Sequence, residues 1–126
     1  QRQKIMDLSS QRQYLQKADN AKVYLTTNSV TTLYTSPTGT AFDFTIVESI
    51  LVNNNTSGQT NIILTLTDTS SNVFSLYNEH VIAADTTAEL LSKSLVVKAG
   101  EILKVTAADA NKLYVTASLI EYAKGD

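Results

Sequence analysis

The stretch that most constrains the fold is the last third of the chain, residues 95–122, LVVKAGEILKVTAADANKLYVTASLIEY. Three apolar runs, 95–97, 102–107 and 113–122, are separated by Lys98-Ala99-Gly100-Glu101 and by Asp109-Ala110-Asn111-Lys112. The runs hold Val, Ile, Leu, Thr and Tyr, which suit extended backbone, and the breaks carry the Gly, Asp and Asn that tight reversals favour. The pattern predicts strand, turn, strand, turn, strand. In the last run Leu113, Val115, Ala117 and Leu119 fall on one face and Tyr114, Thr116, Ser118, Ile120 and Tyr122 on the other, because strand side chains alternate with a period of two. A wholly apolar face backed by a mixed one suits a half-buried antiparallel sheet, packed on a partner sheet on one side and meeting water or another subunit on the other. The rest of the chain should then supply the partner sheet.

Taken in order, it does. Residues 29–36 read as a strand that Ser36-Pro37-Thr38-Gly39 ends, Pro fixing φ and Gly supplying the permissive position after it. Residues 41–52 are the longest apolar stretch. Phe42, Phe44 and Ile46 point one way and Ile50 and Val52 the same way, with Glu48 interrupting, so a bulge near Val47-Glu48-Ser49 is expected to let one long strand serve two sheets. Residues 53–59 form a loop by composition; Asn54 and Asn55 head glycosylation sequons, which we read as chance matches. Alternation resumes over 61–67, with Ile62, Leu64 and Leu66 inward and Thr65 and Thr67 outward. Asp68-Thr69-Ser70-Ser71-Asn72 turns the chain into a strand over 73–77, which Asn78-Glu79-His80 is expected to break. Short extended pieces at 81–83 and 86–91 complete the set. About eight or nine strands at near-regular spacing predict an all-β fold, an antiparallel β-sandwich with jelly-roll-like connectivity.

The first 24 residues differ, and we divide the chain into an N-terminal arm (1–24) and a β-sandwich domain (25–126). Ile5, Leu8, Arg12 and Leu15 recur at helical steps, and Ser10 with Gln13 is a possible capping box for a short helix through Lys17. A helix so short and polar is marginal alone. Both a solvated leader and an arm ordered by docking on a partner remain open. The arm is basic, with Arg2, Lys4, Arg12, Lys17 and Lys22 against Asp7 and Asp19, while the remainder of the chain is acidic. A basic leader on an acidic body suggests an arm that lies on something else.

Chemistry is sparse. The chain has no cysteine and one histidine, so a zinc site within one chain lacks ligands. His80 has no predictable orienting carboxylate or nucleophile and reads as a loop histidine. The carboxylates are scattered one per turn, without the spacing of a calcium loop. Glycines 39, 58, 100 and 125 stand isolated in turns, so no phosphate cradle is formed. The net charge of −2 gives no bulk attraction to nucleic acid or an anionic membrane, and no apolar run reaches the roughly 20 residues a membrane helix needs. We therefore expect no enzyme, no cofactor, no metal, and neither nucleic acid nor membrane as partner. Apolar and aromatic groups on an outward face mark subunit contacts. The candidate partner-contact residues are Ile5, Leu8, Arg12, Tyr14 and Leu15 on the arm, and Tyr114, Ile120 and Tyr122 on the last strand.

Three segments, LYTSPTGTAFDF, ESILVNNNTSGQTNIILTLTD and the 95–122 stretch, carry a resemblance spanning roughly Val30 to Tyr122. They resemble small β-sandwich structural proteins of tailed-phage virions, a group of head-decoration, head-fibre and tail-adaptor modules. The resemblance implies a non-enzymatic structural protein located in the virion, decorating or cementing a bacteriophage capsid. It further implies a homo-oligomer, often a homotrimer, with the leader or loops on the major capsid protein or another virion protein. The alternative within the same group is a fibre or tail module that binds a host glycan or another tail protein.

Overall fold

A computed structural model of the protein describes the backbone of residues 13–125 and the side chains of 15–124. Among the described residues there are nine strands and no helix: β1 (Gln13–Tyr24), β2 (Thr31–Thr35), β3 (Phe42–Asn54), β4 (Thr60–Thr67), β5 (Val73–Ile82), β6 (Thr86–Glu89), β7 (Leu95–Lys98), β8 (Ile102–Ala107) and β9 (Leu113–Gly125). One sheet runs β1-β9-β3, with β6 and β7 sharing the far edge of β3: β6 lies against Leu51 to Asn54 and β7 against Phe44 to Val47. The other sheet runs β2-β8-β4-β5, and the pairings given for both sheets are antiparallel.

The connectivity is the expected jelly roll. β1 pairs with β9, β2 with β8, β3 with β7 and β6, and β4 with β5, so the chain is one long ribbon doubled back on itself. Rolling that ribbon brings β9 onto β3 and β8 onto β4, which closes two layers. The tip of the ribbon is the turn 68–72, where the Asp68 carboxylate accepts from the amides of Asn72 (2.9 Å) and Ser70 (3.0 Å) and Ser71 takes φ 68°. Those amides hold its carboxyl below the usual range.

The core lies between the sheets. β9 contributes Leu113, Val115, Ala117 and Leu119, the face read from sequence; β4 adds Ile62 and Leu64, and β8 adds Leu103, Val105 and Ala107. Leu25, Ile82, Leu90 and Val97 are buried in the same cluster.

Three expectations change. The helix expected through Lys17 is strand from Gln13 onward, paired with β9 through twelve residues. A docked strand gains a ladder of backbone bonds that a short isolated helix does not offset against its nucleation cost. Ser10, Ile5, Leu8 and Arg12 lie outside the described residues. The break at 78–80 is absorbed: β5 continues to Ile82 through two bulges opposite Ile62 to Thr65, with Glu79 at φ 52°. The bulge near Glu48 is present, between Val47 and Ser49 on the β9 side. β3 nevertheless stays in one sheet, and the bulge inverts its phase, so that Thr45 and Val47 before it are buried with Ile50, Val52 and Asn54 after it. Phe44 and Ile46 are therefore on the outer face, while a second register shift between Phe42 and Phe44 sets Phe42 opposite Ala123. One extra residue in a period-two pattern must do this.

Candidate subunit-contact surface

The outer face of the β1-β9-β3 sheet is where the sequence placed Tyr114, Ile120 and Tyr122, and the register shows what surrounds them. Ile120 stands opposite Ala18 on one side and Ile46 on the other, and Ile46 stands opposite Val96. Ala18, Ile120, Ile46 and Val96 thus form an apolar row across four strands, with Val96 53% exposed. The next row places Tyr122 against Phe44, their rings stacked with centroids 4.8 Å apart and planes 13° apart. Ordered aromatic and branched side chains on the solvent side of a sheet form a pre-built contact patch, because they lose little side-chain entropy when covered.

The remaining predicted contacts are elsewhere. Tyr114 is six residues from Ile120 along β9, about 20 Å at strand rise, and stacks on Tyr24 with centroids 4.3 Å apart. Lys22, Tyr24, Tyr114 and Thr116 help line a shallow groove of about 270 Å³ there. Leu15 is 65% exposed, yet it pairs with Ala123 and so occupies the face opposite Ile120 and Tyr122. The Tyr14 backbone belongs to β1, while its side chain lies outside the described residues. Phe44, Ile46 and Val96 were missed from the sequence. The signal was available: once a bulge is placed at Glu48, Phe44 and Ile46 cannot share a face with Ile50.

A polar cluster was also not foreseen. The Tyr34 hydroxyl, from the opposite sheet, donates to Glu121 Oε2 at 2.7 Å and lies 2.8 Å from Thr45 Oγ1; Thr45 Oγ1 is 3.0 Å from Ser36 Oγ, which donates to the Val97 carbonyl. Burial and the neighbouring Glu121 carboxylate push the Tyr34 phenol well above its ordinary value. The cluster ties the two sheets together at the end beneath the Phe44–Tyr122 stack. At the other edge Glu89 accepts from the Ser49 hydroxyl and from the amides of Ile50 (2.8 Å) and Leu91 (3.0 Å). Burial acts to raise its carboxyl, but these three donors outweigh burial and hold it below the usual range. The bulge therefore carries its own side-chain clasp.

His80 is exposed, its ring tilted against Tyr77 with centroids 4.8 Å apart. Among the described residues no three His, Asp or Glu side chains are grouped to hold a metal ion. Asn54, at the head of a sequon, is fully buried and shapes its loop, donating to the Gly58 carbonyl (2.9 Å) and accepting from the Thr56 amide (3.0 Å).

No protein-family model matches the chain, and no curated protein matches it. Solved structures do. The chain is similar to a chain in the structure of the infectious bursal disease virus Gx strain, with a TM-score of 0.51 at 9% identity, over 86% of this chain and 32% of that one. It is similar also to a chain in the crystal structure of the T13 particle of the same virus, with a TM-score of 0.50 at 9% identity, over 87% and 31% respectively. The likeness is one of fold. This chain spans about a third of the length of those it matches, and those structures are of infectious bursal disease virus and its particle, not of a tailed phage.

Proposed function

We propose that this chain is a non-enzymatic structural protein of a virus particle, and that it decorates or cements a tailed-phage capsid as a homo-oligomer, with the trimer as the form the sequence resemblance implies. The observation that carries the reading is the ordered apolar row Ala18, Ile120, Ile46 and Val96 beside the Phe44–Tyr122 stack. It lies on the outer face of a sandwich whose fold recurs in virus particles. Protein contacts of this kind are centred on aromatic and aliphatic anchors that neighbouring groups shield from water. The partner is the major capsid protein or another virion protein, reached by this face and by the N-terminal arm through Ile5, Leu8, Arg12, Tyr14 and Leu15.

The test is co-sedimentation of the purified chain with expanded capsids. Wild type should pellet with the shell, and Ile46→Asp with Ile120→Asp should abolish pelleting while the strand signal in circular dichroism is kept. Pelleting by the folded double variant would refute the assigned face. Failure of wild type to bind any shell would refute the role.

A second reading has its own observation, the exposed Tyr24–Tyr114 stack over its groove. Flat aromatic faces suit sugar rings, and a fibre or tail module could hold a host glycan there. Glycan-array binding lost in Tyr24→Ala and Tyr114→Ala would favour it over decoration.

A further inference from the structure

We propose that two copies of this chain join edge to edge through β1, antiparallel about a two-fold axis at Ala18, so that their β1-β9-β3 sheets become one continuous sheet. This names a contact for the oligomer proposed above and rests on that reading only in taking an oligomer as the working form. β1 has β9 on one side and no strand among the described residues on the other. Its twelve residues pair with β9 without a bulge. The other edges are short or interrupted: β2 has five residues and a register shift, β6 and β7 have four each, and β5 carries two shifts. Edges of that second kind resist added strands, whereas a long regular edge accepts one.

The ladder fixes which backbone groups are free. Leu25 donates its amide to the Leu113 carbonyl (2.9 Å) and accepts from the Asn111 amide (2.9 Å), one step beyond the Tyr24–Tyr114 pair. In an antiparallel ladder alternate residues turn both groups to the same neighbour. The odd residues of β1 therefore face β9, and Gln16, Ala18, Asn20 and Lys22 turn theirs outward. The Asn20 amide agrees, for it donates to its neighbour Asp19 Oδ1 (2.8 Å) and not to a strand.

Outward even residues must oppose even residues of the partner, which leaves few centres. A centre on Lys17 sets that lysine against itself, and one on Asp19 sets two carboxylates together. Centres on Gln16 or Asn20 shorten the overlap and leave both charges unmatched. The centre on Ala18 uses nearly all of β1 and sets Lys17 opposite the second copy's Asp19 twice over, with Gln16 opposite Asn20 and exposed Leu15 opposite Ala21. These Lys–Asp pairs occupy non-hydrogen-bonded positions, where Cα atoms approach to about 4.5 Å and opposite charges attract most. Within one chain Lys17 and Asp19 already lie 3.7 Å apart on one face, so pairing makes a ring of four alternating charges. The partner's Gln16 carbonyl then takes the Asn20 amide, and the Asp19 carboxylate is released to the partner's Lys17.

A two-fold contact here combines with a three-fold contact elsewhere into a closed assembly, so the readout is a halving of mass. The full chain is weighed by light scattering. Ala18→Pro removes an outward amide without touching the β9 ladder and should halve the mass with unchanged circular dichroism. Lys17→Asp alone and Asp19→Lys alone should each do the same, while mixing these two variants, or combining both changes in one chain, should restore it. Unchanged mass in Ala18→Pro, or a folded double variant that stays at half mass, overturns the pairing. A wild-type monomer that still binds capsids overturns the pairing and leaves the virion reading standing; a stable pair that ignores capsids does the reverse.

Discussion

Ile46 and Ile50 lie four residues apart on β3, and an uninterrupted strand would bury both or neither. With one extra residue at Glu48, Ile50 is 0% exposed in the core while Ile46 is half-buried on the outer face. Replacing Ile50 with Ala removes three carbon groups at about 0.8 kcal/mol each. The cavity left behind brings the loss to about 3–4 kcal/mol. Ile46→Ala opens a face already in contact with water, encloses no cavity, and should lose under about 1 kcal/mol. A domain of this size is stable by roughly 5–15 kcal/mol, so the first change removes a large share. With a urea slope near ~1.5 kcal/mol/M, Ile50→Ala should lower the midpoint by about 2 M and Ile46→Ala by under about 0.7 M. The melts belong at high dilution, where no second subunit covers Ile46. Equal losses would refute the phase inversion at Glu48, and with it the outer-face row.

Tyr34→Phe removes the hydroxyl that joins Thr45 to Glu121 and should cost about 1–2 kcal/mol in urea melts. Because burial and Glu121 raise the Tyr34 phenol, the folded protein keeps that proton where the unfolded chain loses it. Its contribution is complete below the ordinary tyrosine value of 10.0 and should be lost as pH rises above it, read as a steeper alkaline decline in wild type than in Tyr34→Phe. Glu89 has the opposite sign. Its lowered carboxyl stabilises above the ordinary carboxylate range and the effect is lost as pH falls through the folded value, so the protection of the Ile50 and Leu91 amides, taken relative to their intrinsic exchange rates, should fall in acid, and Glu89→Gln should show that lower protection already at neutral pH. Gly100→Ala places a Cβ 3.1 Å from Thr69 Cγ2 at a φ of 81°, and a loss of about 1–2 kcal/mol is expected on thermal melting.

Much of the architecture was legible because period-two alternation is strong wherever one face is buried. Leu113 to Leu119 on β9 and Ile62 and Leu64 on β4 fell in their true phase, and the turns at 36–39, 68–72 and 98–101 carried their own residues. β1 was not legible, because Ala18, Asp19 and Asn20 give no apolar face; its place follows from the ladder that β9 offers, which is a tertiary fact. The phase of Phe44 and Ile46 failed for a different reason: the bulge was anticipated and its effect on side-chain direction was not followed through. Of the predicted contacts, Ile120 and Tyr122 share one patch, Tyr114 stands at the far end of the strand, and Leu15 is on the other face. No local pattern reveals that distribution, since it depends on which strand lies beside which. The Tyr34, Thr45 and Glu121 cluster joins residues up to 87 positions apart, beyond the reach of any window on the sequence.

A reconstruction of the virus particle at side-chain resolution tests the central claim most directly. The account predicts this sandwich repeated over the shell, with Ile46, Ile120 and Tyr122 covered by a neighbouring subunit. A shell without the chain, or one in which that face looks onto open solvent, would contradict it.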